Sequence, residues 1–248
     1  MGKQIYMLFH VNKQQTSYGE DIGILLLDTE TPFIQGDVGN AKSYTYPVRY
    51  KVVKGLTVAA IFAHDTNLTA AIVDAAKELE REGVKAITGD CGFMALYQQQ
   101  VKAAVTVPVF LSSLTQLPFI SQILRDHYKI GIITANATAL TSDLFTAVGF
   151  TDIEKLVIKG LDDTKYFYEA AIAEVGTLDS DRISEEVVAA SKQLAEDKRI
   201  GAILLECSLL PVYGFAVHQA TGLPIFDFLT MIDYVQSSIV KRTFPDSY

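Results

Sequence analysis

Short apolar runs alternate with longer stretches of helical period along this chain. DIGILLLD (21–28), TVAAIFA (57–63), VKAIT (84–88) and VPVFL (107–111) are apolar segments of strand length. They read as strands buried on both faces. Between them, NLTAAIVDAAKELEREG (67–83) spaces its apolar residues at helical period, opens on a capping Asn67 and stops at Gly83. Helical character resumes after Cys91. The second half repeats the order. YKIGIITA (128–135), KLVIKG (155–160), IGAILL (200–205) and LPIFD (223–227) read as strands, and 140–150, 185–199 and 231–242 as helices. Alternation of this kind predicts parallel sheets with helices on both faces. One stretch breaks the rhythm. Residues 29–50, TETPFIQGDVGNAKSYTYPVRY, carry two prolines, two glycines and no period. A loop so long in a compact domain is usually functional or mobile, and it reads as a flap or substrate loop.

The alternation also contains an internal repeat. Residues 84–110 slide onto 200–226 without a gap, and eight positions are identical. They pair Ala86 with Ala202, Ile87 with Ile203, Cys91 with Cys207, Tyr97 with Tyr213, Val101 with Val217, Ala104 with Ala220, Pro108 with Pro224 and Phe110 with Phe226. Average composition would give about one or two matches. Asp90 over Glu206 is a conservative pair, and IGILL (22–26) resembles IGIIT (130–134). The chain therefore reads as a duplicated α/β lobe. Shared packing explains the alanines and the proline, but it explains the cysteines poorly, because valine would serve a buried position equally well.

Composition narrows the function classes. The chain has 248 residues, enough for a substantial core. Hydrophobic residues make up 49% and charged residues 20%, ordinary for a globular enzyme. A net charge of −8 and no basic cluster argue against nucleic acid as a partner. Arg49, Lys51 and Lys54 read as a solvated face. No apolar run has the length of a membrane span, and the N-terminus lacks a secretory cleavage pattern. The expected compartment is the cytoplasm, where thiols stay reduced, so the two cysteines are not expected to form a structural disulfide.

Their placement suggests chemistry. Each cysteine follows a strand by a few residues and precedes a helical stretch. Ligands of open parallel sheets bind beyond the carboxyl ends of strands. Two lobes facing one another would put one thiol on each wall of a single cleft. A helix start lowers a thiol pKa, while Asp90 and Glu206 push it up, so the expected resting state is one thiolate and one thiol. Such a pair takes a proton from one face of a carbon and returns one to the other. Backbone amides at Gly92, Phe93, Ser208 and Leu209 would hold a substrate carboxylate as charge grows on it.

Paired cysteines in duplicated α/β lobes resemble the cofactor-independent aspartate/glutamate racemase superfamily, from IGILLLD to LPIFD. The resemblance implies two pseudo-symmetric flavodoxin-like lobes, each a parallel sheet flanked by helices, with the active site between them. It implies that the C-terminal helix packs back on the first lobe, giving 1–111 with 228–248 as one lobe and 112–227 as the other. It implies two-base catalysis by Cys91 and Cys207, no cofactor and no metal. The leading expectation is an amino-acid racemase of aspartate/glutamate type. A maleate-type cis–trans isomerase, a hydantoin racemase and a non-catalytic two-lobed carboxylate binder are the alternatives. Glutamate racemases follow their cysteines with Asn-Thr and Thr-His, whereas this chain has Gly92-Phe93 and Ser208-Leu209.

The remaining candidates lie on predicted loops. In GDVGN (36–40), Asp37 would hold a substrate ammonium and Asn40 a carboxylate. Thr134 and Asn136 end the first strand of the second lobe, and Ser112, Ser113 and Asp227 also follow strands at the ligand edge. His10, His64, His127 and His218 show no metal-binding spacing. The partners expected are a small carboxylate-bearing substrate and, as an option left open, a second copy of the chain.

Overall fold

The computed structural model describes residues 8–11 and 13–244; the sequence expectations for 1–7, and the outer ends of the first lobe, lie outside them. The chain forms two four-stranded parallel sheets flanked by helices. The first contains β1 (Ile22–Leu26), β2 (Val48–Val52), β3 (Ala86–Gly89) and β4 (Val109–Phe110). Helices α1 (Val58–Phe62), α2 (Thr69–Arg81) and α3 (Gln98–Ala104) accompany them, and α4 (Leu117–Ile123) follows. The second contains β5 (Lys129–Thr134), β6 (Leu156–Gly160), β7 (Ile200–Leu205) and β8 (Ile225–Phe226). Its helices are α5 (Ser142–Ala147), α6 (Ser180–Glu196) and α7 (Gly214–Thr221), and α8 (Phe228–Ile239) is the last element among the described residues. Strand order is β2-β1-β3-β4 in one sheet and β6-β5-β7-β8 in the other. Both orders reverse direction beside the central strand, β1 or β5, and that reversal is where such sheets open a crevice.

Side-chain parity stacks the layers. Ile22, Ile24 and Leu26 of β1 face α8, packing with Phe228, Met231 and Ile232. Leu25 faces the other way, into a core that also holds Ile130 and Ile132 of β5. Ile133, on the opposite face of β5, packs with Ile183, Val187 and Leu194 of α6. The apolar core between the sheets is thus continuous across both lobes, and strand alternation is what assigns each side chain to its layer. The repeated glycines let helices sit close. A Cβ at Gly23 would crowd Leu79 of α2, and one at Gly131 would crowd Leu194 of α6. The repeated prolines mark matching strand pairs: Ile87 donates its amide to Pro108 O and Ile203 to Pro224 O, each at 2.9 Å.

Helix α4 and a helical turn at Tyr168–Ile172 are absent from the sequence expectation, and the structure departs from it in the following respects as well. TVAAIFA is helix α1, not a strand; the Thr57 hydroxyl caps it by accepting the Ala60 amide at 3.2 Å. An apolar run this short fits a buried helical turn as well as a strand, and its cap decides. Strand β2 lies partly inside the predicted loop. It is an edge strand, half-buried, and its polar residues are paired: Arg49 bridges Glu20 at 3.0 Å and Glu82 at 2.8 Å, and Lys51 pairs with Glu78. No continuous apolar run announces an edge strand of this kind. Asn67 is not the cap of α2. Asp65 accepts its amide instead, and a 3-10 turn at Thr66–Leu68 leads into the helix. Among the described residues no helix is long and apolar enough to cross a membrane.

Ile132 is fully buried in the core shared by the sheets. Ile132→Ala should lower unfolding stability by about 2–5 kcal/mol. Phe215→Ala, at a position 76% exposed, should change it by less than about 0.5 kcal/mol. Urea denaturation of both variants checks the layer assignment; equal effects would contradict it.

Candidate active site

Strands β1, β3, β5 and β7 all end at one cleft between the lobes. Cys91 follows β3 and Cys207 follows β7, and both line this cleft. The free thiols are nearly buried, at 8% and 7% exposure, so they face a confined volume rather than bulk water. The first lobe adds Leu27, Val58 and Ile61, and the second adds Ala135 and Ala171. Phe33, Phe62 and Phe93 supply aromatic surface, with Phe62 and Phe93 meeting edge to face at 4.9 Å between centroids.

The acid before each cysteine fixes its loop. Asp90 accepts the Leu27 amide on both carboxylate oxygens, at 3.0 and 3.1 Å. Glu206 Oε2 accepts the Ala135 amide at 3.4 Å and the Thr134 hydroxyl at 2.8 Å. Leu27 follows β1 and Ala135 follows β5, so the two acids clamp equivalent strand ends in the two lobes. A further bond holds the loop before Cys207 to the segment after β4: Ser113 Oγ donates to Glu206 O at 2.8 Å. The extra methylene of Glu206 breaks the symmetry. Its other oxygen, Oε1, is buried without a hydrogen-bond partner and lies against Gly92, where a Cβ would overlap it. Glycine beside Cys91 leaves room for the carboxylate that reaches over from the opposite lobe.

Burial raises both acids to about 7. It also pushes both thiols well above their ordinary range, and Glu206 adds to the effect. The Phe93 amide on Cys91 and the Leu209 amide on Cys207 pull the other way. The expected thiolate–thiol pair is thus displaced towards two neutral thiols, because removing a charge from water costs more than one amide bond returns.

The predicted site residues separate into groups. Cys91, Cys207, Phe93, Ser208 and Leu209 line the cleft, and Gly92 sits beside it against Glu206. Thr134 is fully buried and spends its hydroxyl on Glu206. Asn136 lines a separate shallow depression with His64 and Thr138, where its side chain accepts the Ala139 amide. Asn40 donates to Phe33 O at 2.9 Å and accepts the Lys42 amide, so it shapes the loop behind Phe33. Asp37 is buried outside the cleft lining and accepts the Gly39 amide. Ser112 caps Leu114 and Asp227 caps α8. What sequence reasoning missed was Asp90 and Glu206 as cleft walls and the α1 residues hidden by the strand assignment. The loop read as a flap or substrate loop does reach the cleft, through Thr29, Thr31 and Phe33, which the sequence reading does not name singly. The start of that loop crosses to the other lobe: Thr31 donates to Ala170 O at 3.1 Å, and Thr29 and Glu30 bond Glu174. Among the described residues no cluster of three His, Cys, Asp or Glu is placed to hold a metal ion.

Known proteins with related sequences narrow this geometry. Dimethylsulfoniopropionate lyase 7 of Emiliania huxleyi (strain CCMP1516) is 34% identical over 220 residues, covering 84% of this chain and 64% of that one. A dimethylsulfoniopropionate lyase of Durusdinium sp. clade D is 34% identical over 221 residues, covering 86% of this chain and 73% of its own. The chain belongs to the dimethylsulfoniopropionate lyase family. It spans somewhat under two thirds of the Emiliania lyase. No family model matches the sequence. Among solved structures, an allantoin racemase of Pseudomonas fluorescens superimposes with a TM-score of 0.62 at 14% identity, covering 89% of this chain and 91% of its own. A glutamate racemase of Bacillus anthracis gives 0.58 at 15% identity, covering 89% and 81%. The fold is therefore shared with these racemases and is carried here by a member of the dimethylsulfoniopropionate lyase family.

The raised Glu206 pKa has a consequence for stability. Between about pH 4.5 and about 7 the folded protein keeps a proton that the unfolded chain has lost. Stability contributed by this group therefore falls as pH rises through that window and levels off above it. Glu206→Gln should gain on the parent by more than about 1 kcal/mol between pH 4.5 and pH 8. Urea unfolding at both pH values measures this; a pH-independent difference would contradict the buried, uncompensated carboxyl.

Proposed function

We propose that this chain is a lyase that removes a proton from carbon 2 of dimethylsulfoniopropionate and expels dimethyl sulfide. The observation that carries the reading is the pair of thiols in one confined cleft, in a chain whose curated relatives are named for that substrate. The substrate is a carboxylate with a sulfonium two carbons away. A thiolate takes the proton from carbon 2, and the electron pair left behind forms the bond to carbon 3. The carbon 3–sulfur bond breaks, and its pair leaves on neutral dimethyl sulfide. Acrylate remains, and the thiol returns its proton to solvent.

The electrostatics suit this order of events. Burial and Glu206 hold both thiols protonated. A sulfonium in the same cleft favours the thiolate, so the base forms when the substrate is in place. The amides of Phe93 and Leu209 then stabilise the charged sulfur. Ser208, on the cleft wall, is the donor best placed for the carboxylate. General-base catalysis of this type is worth about 10²–10⁴-fold.

A second reading is an amino-acid racemase. The equivalent placement of the two cysteines favours it, because elimination needs one base and expels a leaving group that needs no proton. Incubation in deuterated water with dimethylsulfoniopropionate, and separately with aspartate, glutamate and maleate, decides between the readings. Elimination predicts equal amounts of dimethyl sulfide and acrylate, with kcat reduced at least about 100-fold in one or both of Cys91→Ser and Cys207→Ser. Absence of dimethyl sulfide together with deuterium entering carbon 2 of an amino acid, or fumarate from maleate, would replace this reading with racemisation or cis–trans isomerisation.

A further inference from the structure

The cleft holds negative potential with nothing to balance it. Asp90 and Glu206 both line it, and among the described residues no lysine, arginine or histidine does. Asp90 is satisfied by Leu27, whereas Glu206 keeps one oxygen, Oε1, buried and without a partner. A buried polar atom of this sort costs stability unless something binds it. The rings of Phe33, Phe62 and Phe93 line the same cleft. Aromatic faces attract alkylated cations, which shed water more easily than an ammonium bearing only hydrogens.

From this arrangement the geometry points to Glu206 Oε1, with the three phenylalanine rings, as the acceptor of the substrate's cationic head and the determinant of charge selectivity. This deepens the elimination reading and rests on it for the identity of the head group. Placing the sulfonium there fixes its position relative to the thiols. Glu206 precedes Cys207 in sequence, and its Oε1 touches Gly92 beside Cys91. The cation is therefore placed between the two cysteine loops, both of which line the cleft. The pseudo-equivalent Asp90 is one methylene shorter and cannot duplicate the arrangement, so the cleft has one cationic end. Phe33, on the cleft wall, is held from behind: Asn40 bonds its carbonyl, and a Cβ at Gly39 would clash with its ring.

Two shape-matched probes isolate the charge. 3-(Dimethylammonio)propanoate carries a cationic head, and 4-methylpentanoate replaces it with a neutral isopropyl group on the same carboxylate chain. Calorimetric titration of the parent protein at pH 8 should show the cation bound at least about 10-fold more tightly. Glu206→Gln should bring the two affinities within about twofold, by weakening the cation and not the neutral acid. Proton release gives a second readout that needs no variant. Glu206 and Asp90 act on both thiols, and Asp37 acts on Cys207; all of these groups are anionic or neutral. Near pH 7 the cationic probe should release protons on binding, seen as a heat that varies with buffer, and the neutral probe should not. Equal affinity of both probes for the parent protein, or a preference that survives Glu206→Gln, would overturn the assignment. Neither result depends on turnover. A cation preference without dimethyl sulfide formation would remove the elimination reading and keep the cation site, and elimination without the preference would do the reverse.

Discussion

A buried carboxylate accepting the amide at the end of the neighbouring strand is the constraint on which this site rests. Asp90 does this for β1 and Glu206 for β5. Each bond spans the point where strand order reverses, and each acid is the residue immediately before a cysteine. The backbone that presents a thiol is thereby fixed to two strands at once. Without the clamp the loop after each strand would be a short turn with no reason to hold one geometry. With it, both thiols are aimed into the same cleft, at the cost of burying two acids that burial pushes to about 7.

The duplication supplies two equivalent walls, and departures from it supply direction. Glycine replaces serine after the first cysteine, and glutamate replaces aspartate before the second. These two changes fit one another, since Glu206 Oε1 occupies the volume that a Cβ at position 92 would need. A symmetric cleft suits inversion of a stereocentre, where a carbon must be approached equally from both faces. A cleft with one polar, electron-rich end suits a substrate with a charged end that leaves. The superfamily fold accommodates both, because fold sets where the chemistry happens and side chains decide which chemistry it is.

Much of the architecture was legible in the sequence, because buried parallel strands write themselves as continuous apolar runs. The repeat placed Cys91 and Cys207 at equivalent strand ends, and the cleft contains both. Edge strand β2 was invisible, because half-buried residues alternate with paired charges and no run forms. Helix α1 was misassigned, because a five-residue apolar helix has no period to read and only Thr57 marks its start. The polar candidates fared less evenly. Asn40, Asn136 and Asp37 carried the residue types a ligand needs, yet each is engaged by a nearby backbone amide, as short polar side chains in turns usually are. The acids of the clamp were visible as a conservative pair, but their burial depends on Leu27, Thr134 and Ala135 arriving from other strands. No local pattern encodes that.

The central claim is that one small molecule touches both thiols. Crystallography of Cys91→Ser with bound 3-(dimethylammonio)propanoate addresses it directly. The account predicts carbon 2 of the ligand within about 4 Å of Cys207 Sγ or of the serine oxygen, with the other group on the opposite side of the ligand. A ligand seated away from both positions, or side chains at 91 and 207 facing separate interiors, would contradict it.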